Sequence, residues 1–432
     1  MGLLMKLIGA RYVGFFFVLM LIFPTVLQEY RLGLLIVLLL GFIANLSYDR
    51  TWKMHRDVLI LFLIALLLGI VYVIYGLVSG GEGASSLATV FVVWPCLYLL
   101  LIGKVQSISS LKIIYCSLIH GIFLANLICF AFIVSGFTDA LSSLQPLFNM
   151  LGGVINLYDG SMTKFNMSTL TTIIYAFPFL ITHFFYANNN FEVLISKRYL
   201  ITQLILSSII LIFSGRSGFW VVAIVSVPIS IGLLYCTNAV NLKLKQICVN
   251  FFYLFILFWL LYSILQMFGI DFSKILNGFI YSFNFNDINN YSANRRQEQF
   301  FNLISAWSEK PLFGAGLGVV PPNESTWEFE LQYVALLWFF GVFGFTVYFL
   351  MITYIIFQSI YLCRKNRDLT QYLMPLNAGM ICFLVANATN PYLNKFDYLW
   401  VIFLPLAFIN YGLLHEKNYG NMVFQKNPVK EF

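Results

Sequence analysis

Long apolar runs alternate with short polar interruptions along this 432-residue chain. Most runs hold close to the roughly 20 apolar residues that a helix needs to cross about 30 Å of hydrocarbon. Inside a bilayer, neither a lipid-exposed loop nor an open sheet edge can satisfy its backbone groups. The pattern therefore predicts an all-α polytopic integral membrane protein with about 12 transmembrane helices, near residues 11–28, 31–47, 57–79, 85–103, 111–135, 169–187, 199–213, 218–236, 248–269, 330–357, 372–389 and 398–414.

Two polar interruptions are much longer than the others. Residues 136–168 are rich in Ser, Gly and Asn, and residues 270–329 form the longest stretch without an apolar run. We expect them to be a smaller and a larger extracytoplasmic loop of a single membrane domain that spans 1–432. The interruptions on the other side are too short to bury a core, which excludes a soluble catalytic or nucleotide-binding domain there.

The larger loop contains a short amphipathic helix followed by glycines. Apolar residues recur at helical spacing with polar residues on another face: Phe300, Leu303, Ile304 and Trp307 against Arg295, Gln299 and Asn302. Pro311 ends this helix because proline cannot continue it. The glycines that follow lack the spacing and the preceding strand of a dinucleotide-binding turn, so we expect a flexible return into the next span through Gly314, Gly316 and Gly318.

Composition supports the membrane class and excludes others. Hydrophobic residues make up 60% of the chain and charged residues 10%, far from the usage of soluble globular proteins. Most of the 25 Lys and Arg residues fall on the side that holds the N-terminus, which predicts that both termini are cytoplasmic. The net charge of +7 therefore reflects topology, and its spread over many short loops provides no basic patch for nucleic acid.

Arg216 stands between two apolar runs, flanked by Ser214, Gly215, Ser217 and Gly218. One interpretation is an ordinary turn arginine that lays its stem along apolar surface while its charge reaches the headgroups. The other is an anion site, because small neighbours let a bulky anion approach and the planar guanidinium binds phosphate oxygens in two-point contact. The pattern alone leaves both interpretations open.

Three further charged residues lie on the same predicted side. Arg295 and Arg296 fit either a solvated helix face or, with Arg216, the positive charge that an extracytoplasmic pyrophosphate requires. Glu330 opens the predicted span 330–357, where the helix dipole stabilises a carboxylate. Partial desolvation at the mouth of an apolar span would also favour proton uptake, as a general base needs.

The remaining polar residues narrow the chemistry. Ser325 and Glu328 have the spacing of a capping box for the same span, and Glu324 is expected to be a solvated loop residue. The histidines lie in inner segments or in the inner halves of spans: His55, His120, His183 and His415. We therefore predict neither a histidine base nor a metal site on the outer face, and no cofactor. The seven cysteines lie in or beside spans and are expected to be free thiols.

Four stretches together resemble the O-antigen polymerase and ligase superfamily. They are FSGRSGFW between two spans, RRQEQFFNLISAWSEKPLFGAGLG in the larger loop, FELQYVALLWFFGVFG opening the next span and NATNPYLNKFDYLW before the last. The resemblance covers roughly residues 200–410 and implies a bacterial inner-membrane protein whose outer loops are periplasmic. Ligases of this superfamily carry a histidine about eleven residues before a glycine. Here Tyr333 and Gly341 match, but Glu330 replaces the histidine, which favours the polymerase (Wzy-type) branch.

That branch implies a metal-independent glycosyltransferase. It would join undecaprenyl-pyrophosphate-linked oligosaccharide repeat units at the periplasmic face, with inversion at the anomeric carbon and with a chain-length regulator as a further partner. In this scheme Arg216 with Arg295 or Arg296 binds the pyrophosphate. Glu330 takes the proton of the acceptor hydroxyl.

Three other functions stay open. An O-antigen ligase is disfavoured by the missing histidine. A lipid-linked oligosaccharide flippase or other transporter is disfavoured because the two halves show no repeat and the predicted spans carry almost no charge. A non-enzymatic membrane scaffold is the third.

Overall fold

Helices dominate the computed structural model, which describes residues 10–48, 52–136, 139–158, 162–188, 194–238, 263 and 291–426. Short 3₁₀ turns lie at Asp139–Leu144, Arg367–Leu369, Tyr392–Asn394 and Phe396–Tyr398. The helices are α1 Ala10–Ile22, α2 Gln28–Tyr48, α3 Arg56–Val78, α4 Ala84–Ile102 with a π-turn at Thr89–Val93, α5 Ile108–Ser135, α6 Gln145–Met150, α7 Leu170–Ala187, α8 Lys197–Phe213, α9 Ser217–Cys236, α10 Tyr291–Glu309, α11 Gln332–Lys365, α12 Thr370–Asn387 and α13 Trp400–Lys426.

Eight helical segments of the described residues are long and apolar enough to cross a membrane: Arg56–Val78, Ala84–Ile102, Ile108–Ser135, Leu170–Ala187, Ser217–Cys236, Gln332–Lys365, Arg367–Asn387 and Phe396–Glu416. Each coincides with a predicted span, so the all-α membrane fold is confirmed. The predicted spans at 11–28, 31–47 and 199–213 are helical as well, as α1, α2 and α8, but do not belong to this set. Except for residue 263, the predicted span 248–269 lies outside the described residues. The expected number of about 12 helices therefore stays a prediction.

The helix α7 forms the centre of the bundle. All of its residues are buried, as expected for a helix that is apolar all round. It packs against α12, α9 and α8. Its first turn is tied to the end of α1, because the Thr169 and Thr172 hydroxyls donate to the carbonyls of Ile22 and Leu21, each at 2.7 Å.

A β-hairpin in the smaller loop departs from the all-helical expectation. Strand β1, Val154–Tyr158, pairs antiparallel with β2, Met162–Asn166. Phe165 on β2 is buried, and its N–H donates to the carbonyl of Ser214 at 3.2 Å. The hairpin therefore fixes the backbone two residues before Arg216.

The predicted amphipathic helix exists as α10. It ends at Glu309, before Pro311, as predicted. Its packed face differs from the prediction, since Gln299 and Leu303 are buried whereas Phe300 is 43% exposed. Gln299 can be buried because its side-chain oxygen accepts a hydrogen bond from the backbone N–H of Glu330 at 3.1 Å.

The glycine-rich segment 311–318, here called the glycine loop, inserts into a break in α11. The break lies at Gly341, whose φ of 60° and ψ of −176° are open essentially to glycine alone. On one side of it, the carbonyls of Trp338 and Phe339 accept hydrogen bonds from the glycine loop at 2.9 and 3.0 Å. On the other side, two N–H groups of α11 donate to carbonyls of the loop. The expected flexible return is wrong: the segment is a packed insertion.

Close backbone approach explains why this segment needs glycines. Gly314, Gly316 and Gly318 all have positive φ. A Cβ at Gly314 would lie 2.5 Å from the Gly341 nitrogen, and one at Gly316 would lie 2.5 Å from the Gly76 nitrogen. The loop is therefore clamped between α11 and the end of α3, and the chain leaving it towards Glu330 starts from a fixed position.

Candidate functional site

Four separate segments meet at one end of the bundle, which the distribution of Lys and Arg predicts to be the outer end. They are the turn before α9, the helix α10, the segment 319–331 before α11, and residues 388–399 between α12 and α13, here called the last loop. Each supplies charged or polar side chains to a common region.

The turn before α9 holds Arg216 in a fixed orientation. Gly215 takes a left-handed conformation with φ of 66°, and the Ser214 carbonyl is bonded to the hairpin. Arg216 itself is the extended N-cap residue of α9, and its guanidinium carbon lies 5.7 Å from the centre of the Phe219 ring. Its side chain is partly buried, so the arginine is held against the protein.

Tyr392 in the last loop connects two of the predicted arginines. Burial raises the pKa of the Tyr392 hydroxyl, and Arg216 opposes this shift through its charge and a hydrogen bond. The charge of Arg296 acts in the same direction as that of Arg216. Both guanidinium groups therefore act on one hydroxyl, although the residues are 80 positions apart in the chain.

Arg296 pairs with Glu330. The Arg296 Nε lies 2.7 Å from a Glu330 carboxylate oxygen. The structure thus brings together three of the four residues proposed from the sequence: Arg216, Arg296 and Glu330.

Glu330 differs from its prediction in its position. It lies before α11 and outside the helix, which begins at Gln332 after Leu331 as the N-cap residue. Its side chain is 43% exposed, so the carboxylate is partly buried and still accessible. Because it is paired with Arg296, a base at this position must first be released from that arginine.

Arg295 belongs to a different ion-pair group. Its guanidinium contacts Glu298 at 3.0 Å and Glu324 at 2.6 Å. Hydrogen bonds to Glu298 and then Glu324 raise the pKa of Arg295. The Glu324 side chain is completely buried and also accepts from the Asn302 amide at 2.9 Å. The expectation of a solvated Glu324 is therefore wrong, because this carboxylate joins α10 to the segment before α11.

The predicted capping box does not form. The Glu328 N–H donates to the Thr326 hydroxyl oxygen at 3.1 Å, and α11 begins four residues after Glu328. No helix starts at Ser325, because the glycine loop and the ion pair of Glu324 with Arg295 already fix the conformation of the preceding chain.

The three arginines thus differ in how they are neutralised. Arg295 and Arg296 each contact a carboxylate. Arg216 makes an ion pair with none of the carboxylates that the structure describes. A partly buried guanidinium without an acidic partner is the group in this region best prepared to bind an anion.

Sequence reasoning missed the polar residues of the last loop. Asn394 accepts a hydrogen bond from the Gln332 amide, and Leu393 donates its N–H to Asn387, the last residue of α12, at 2.9 Å. Asp397 forms a buried ion pair with Arg31. A pair of opposite charges beside apolar runs was the signal available in the sequence, but nothing local indicates that residues so far apart meet.

The described residues contain no cluster of three or more His, Cys, Asp and Glu side chains that could hold a metal ion. The buried His183 contacts the Tyr115 hydroxyl at 3.0 Å. His120 contacts the carbonyl of Cys116 in its own helix. Both histidines are thus engaged within the bundle and make no contact with Arg216, Arg296 or Glu330.

Comparison with known proteins identifies no family for this chain. No protein-family model matches it, and no curated protein matches it.

Proposed function

We propose that the protein is a polymerase that joins undecaprenyl-pyrophosphate-linked oligosaccharide repeat units into O-antigen or a similar surface polysaccharide, at the periplasmic face of the bacterial inner membrane. The observation that carries the proposal is the meeting of Arg216, Arg296 and Tyr392 beside Glu330. Two cations, a neutral hydroxyl and a carboxylate are the groups that such a transfer requires.

The arginines stabilise the leaving group. As the bond between the anomeric carbon and the pyrophosphate breaks, negative charge grows on the lipid pyrophosphate. Guanidinium groups fixed beforehand stabilise that charge without reorganising, which is worth about 10²–10³ in rate for a single donor. Arg216 supplies the cation without an acidic partner, and Tyr392 donates a further hydrogen bond because its raised pKa keeps it protonated at neutral pH.

Glu330 becomes the base by partner exchange. In the structure it is held by Arg296 at 2.7 Å. A pyrophosphate that binds Arg296 competes with this carboxylate and releases it. Glu330 then accepts the proton of the acceptor sugar hydroxyl, whose oxygen forms the new bond to the anomeric carbon while the lipid pyrophosphate departs. Arg296 is favoured over Arg295 for this role, because Arg295 is needed to neutralise the buried Glu324.

An apolar cavity lies next to the last loop. It has a volume of about 90 Å³ and is lined by α3, α4, α11 and α13. Leu393 and Leu399 of the last loop form part of its wall, and Leu393 directly follows Tyr392. The cavity is too small for a whole undecaprenyl chain, and an apolar segment of the lipid tail is the part of the substrate that its lining suits.

The test is polymerisation by the reconstituted protein. Purified protein in liposomes is given a synthetic lipid-pyrophosphate oligosaccharide repeat, and products are separated on a gel. We expect a ladder of lengthening glycans that is lost in Arg216→Ala. The matched control is Arg198→Ala, an exposed arginine at the start of α8, which is expected to keep the ladder.

Other outcomes identify other functions. Transfer of glycan to lipid A core without a ladder would indicate a ligase. Movement of the lipid-linked repeat across the bilayer without bond formation would indicate a flippase. Either result, or a full ladder from Arg216→Ala, contradicts the proposal.

A further inference from the structure

A buried ion pair joins the first helical hairpin to the last loop. The Arg31 guanidinium lies 2.6 Å from the Asp397 carboxylate, and each side chain is 1% exposed. Around them, the Gln28 amide donates to Asp397 at 3.1 Å, and Arg31 donates to the Pro24 carbonyl at 2.7 Å. The carboxylate is thus held from two positions of α2.

The turn between α1 and α2 is strained in a way that maintains this contact. Leu27 has a φ of 56°, a left-handed conformation that is unfavourable for a residue with a Cβ. Its carbonyl accepts the N–H of Arg31 at 3.1 Å. Such strain persists where the surrounding structure fixes the chain, and here it directs Gln28 and Arg31 towards Asp397.

The other end of the last loop contacts the proposed site. Tyr392 meets Arg216, and Asn394 bonds to Gln332, two residues after Glu330. Tyr392 and Asp397 are five positions apart in the chain. The ion pair therefore fixes one end of a short segment. The other end of this segment contacts Arg216 and the chain beside Glu330.

We infer that Arg31 and Asp397 are positioning residues: their ion pair fixes the last loop so that Tyr392 reaches the pyrophosphate-binding arginines and Asn394 reaches Gln332, two residues after Glu330. This inference rests on the proposed function. A buried ion pair is a poor source of stability, because the desolvation of both charges offsets their attraction, and apolar residues of similar size often replace it without loss. Its burial beside the last loop therefore fits a role in fixing one conformation of that loop better than a role in stability.

Hydrogen exchange followed by mass spectrometry tests the positioning directly. In Asp397→Asn, which keeps the shape of the side chain and removes its charge, we expect amides of residues 388–399 to exchange about 10-fold faster or more. The amides of the central helix α7 should keep their protection. Lys365→Ala is the control, because it removes a different ion pair, the one with Glu416. Glu416 lies roughly 24 Å along α13 from Trp400, so exchange of the amides of 388–399 should stay at the wild-type rate.

Activity separates positioning from mere stability. The double variant Arg31→Met with Asp397→Leu replaces the pair by apolar side chains and is expected to melt near the wild-type temperature. Its kcat should fall about 10-fold or more with little change in KM, because neither residue touches the substrate. Wild-type kcat and wild-type exchange in the double variant would overturn the inference, as would unchanged exchange in Asp397→Asn.

The two proposals fail separately. Exchange needs no turnover, so it decides the positioning role even if the wild-type protein makes no polymer. Should the double variant not fold, Asp397→Asn supplies both the exchange and the kcat measurement, and unchanged values in it contradict the inference.

Discussion

Arg296 and Glu330 form an ion pair with 2.7 Å between nitrogen and oxygen, so that a proposed anion ligand and the proposed base block each other before substrate arrives. This arrangement makes the base available only when an anion takes over Arg296. In the proposed reaction, this competition between charges would prevent premature proton abstraction and set the order of events.

Glu330→Gln should abolish most of the transfer activity. General-base catalysis contributes about 10²–10⁴ in rate, and the amide cannot take a proton. Initial rates of glycan extension measure the loss. Glu298→Gln, which alters a carboxylate that is 64% exposed on the same helix as Arg296, is the control and should extend glycans normally. Extension by Glu330→Gln at more than a third of the wild-type rate would rule out this base.

Arg295→Ala and Arg296→Ala should separate stability from activity. Removing Arg295 leaves the completely buried Glu324 without its counter-ion, and we expect a loss of about 2 kcal/mol in unfolding free energy. Removing Arg296 exposes a carboxylate that is already 43% accessible, so the stability change should stay below about 1 kcal/mol.

Thermal melting of the two purified variants in one detergent measures this contrast. In Arg296→Ala, the rate of polymerisation should fall strongly while the melting temperature changes little. The loss of rate should remain when the rate is corrected for the fraction of folded protein. Equal melting temperatures, or a larger loss of stability in Arg296→Ala, would contradict the assigned roles.

Gly341→Ala should disrupt the insertion of the glycine loop. The added Cβ would lie 2.4 Å from both the Gly314 nitrogen and the Leu312 carbonyl oxygen, in a conformation that L residues avoid. We expect a clear fall in melting temperature. Gly232→Ala in α9 is the control, because open space surrounds that position and alanine favours a helix by about 0.5–1 kcal/mol. A melting temperature of Gly341→Ala at or above that of the control would show that the break does not need glycine.

Tyr392→Phe should lower activity while the fold is retained. The substitution removes one hydroxyl that Arg216 contacts, and hydrogen bonds to charged groups contribute about 1.5–3 kcal/mol, equivalent to roughly 10–100-fold in rate. Tyr235→Phe alters a residue that is 70% exposed near the other end of α9 and should have no effect. Similar rates for the two variants would remove Tyr392 from the site.

Apolar run length was sufficient to predict the eight helical segments of the described residues that are long and apolar enough to cross a membrane, because a bilayer allows few alternatives to a helix of about 20 residues. The start of α11 was missed because a local capping signal at Ser325 competes with packing around Glu324 and the glycine loop. The contact between Gln28 and Asp397 joins residues 369 positions apart, and no local pattern encodes it. The types of residue were therefore enough to select Arg216, Arg296 and Glu330 as candidate site residues. The contacts that hold them in place could be recognised only from the folded structure.

The most direct test of the polymerase proposal is a single-turnover measurement with one lipid-pyrophosphate donor and one lipid-linked acceptor, comparing wild-type protein with Arg216→Ala at equal membrane insertion. We predict that the wild-type protein forms the joined product and releases lipid pyrophosphate in equal amounts, and that Arg216→Ala does so about 100-fold more slowly. Equal rates in the two proteins, or no joined product from the wild-type protein, would contradict it.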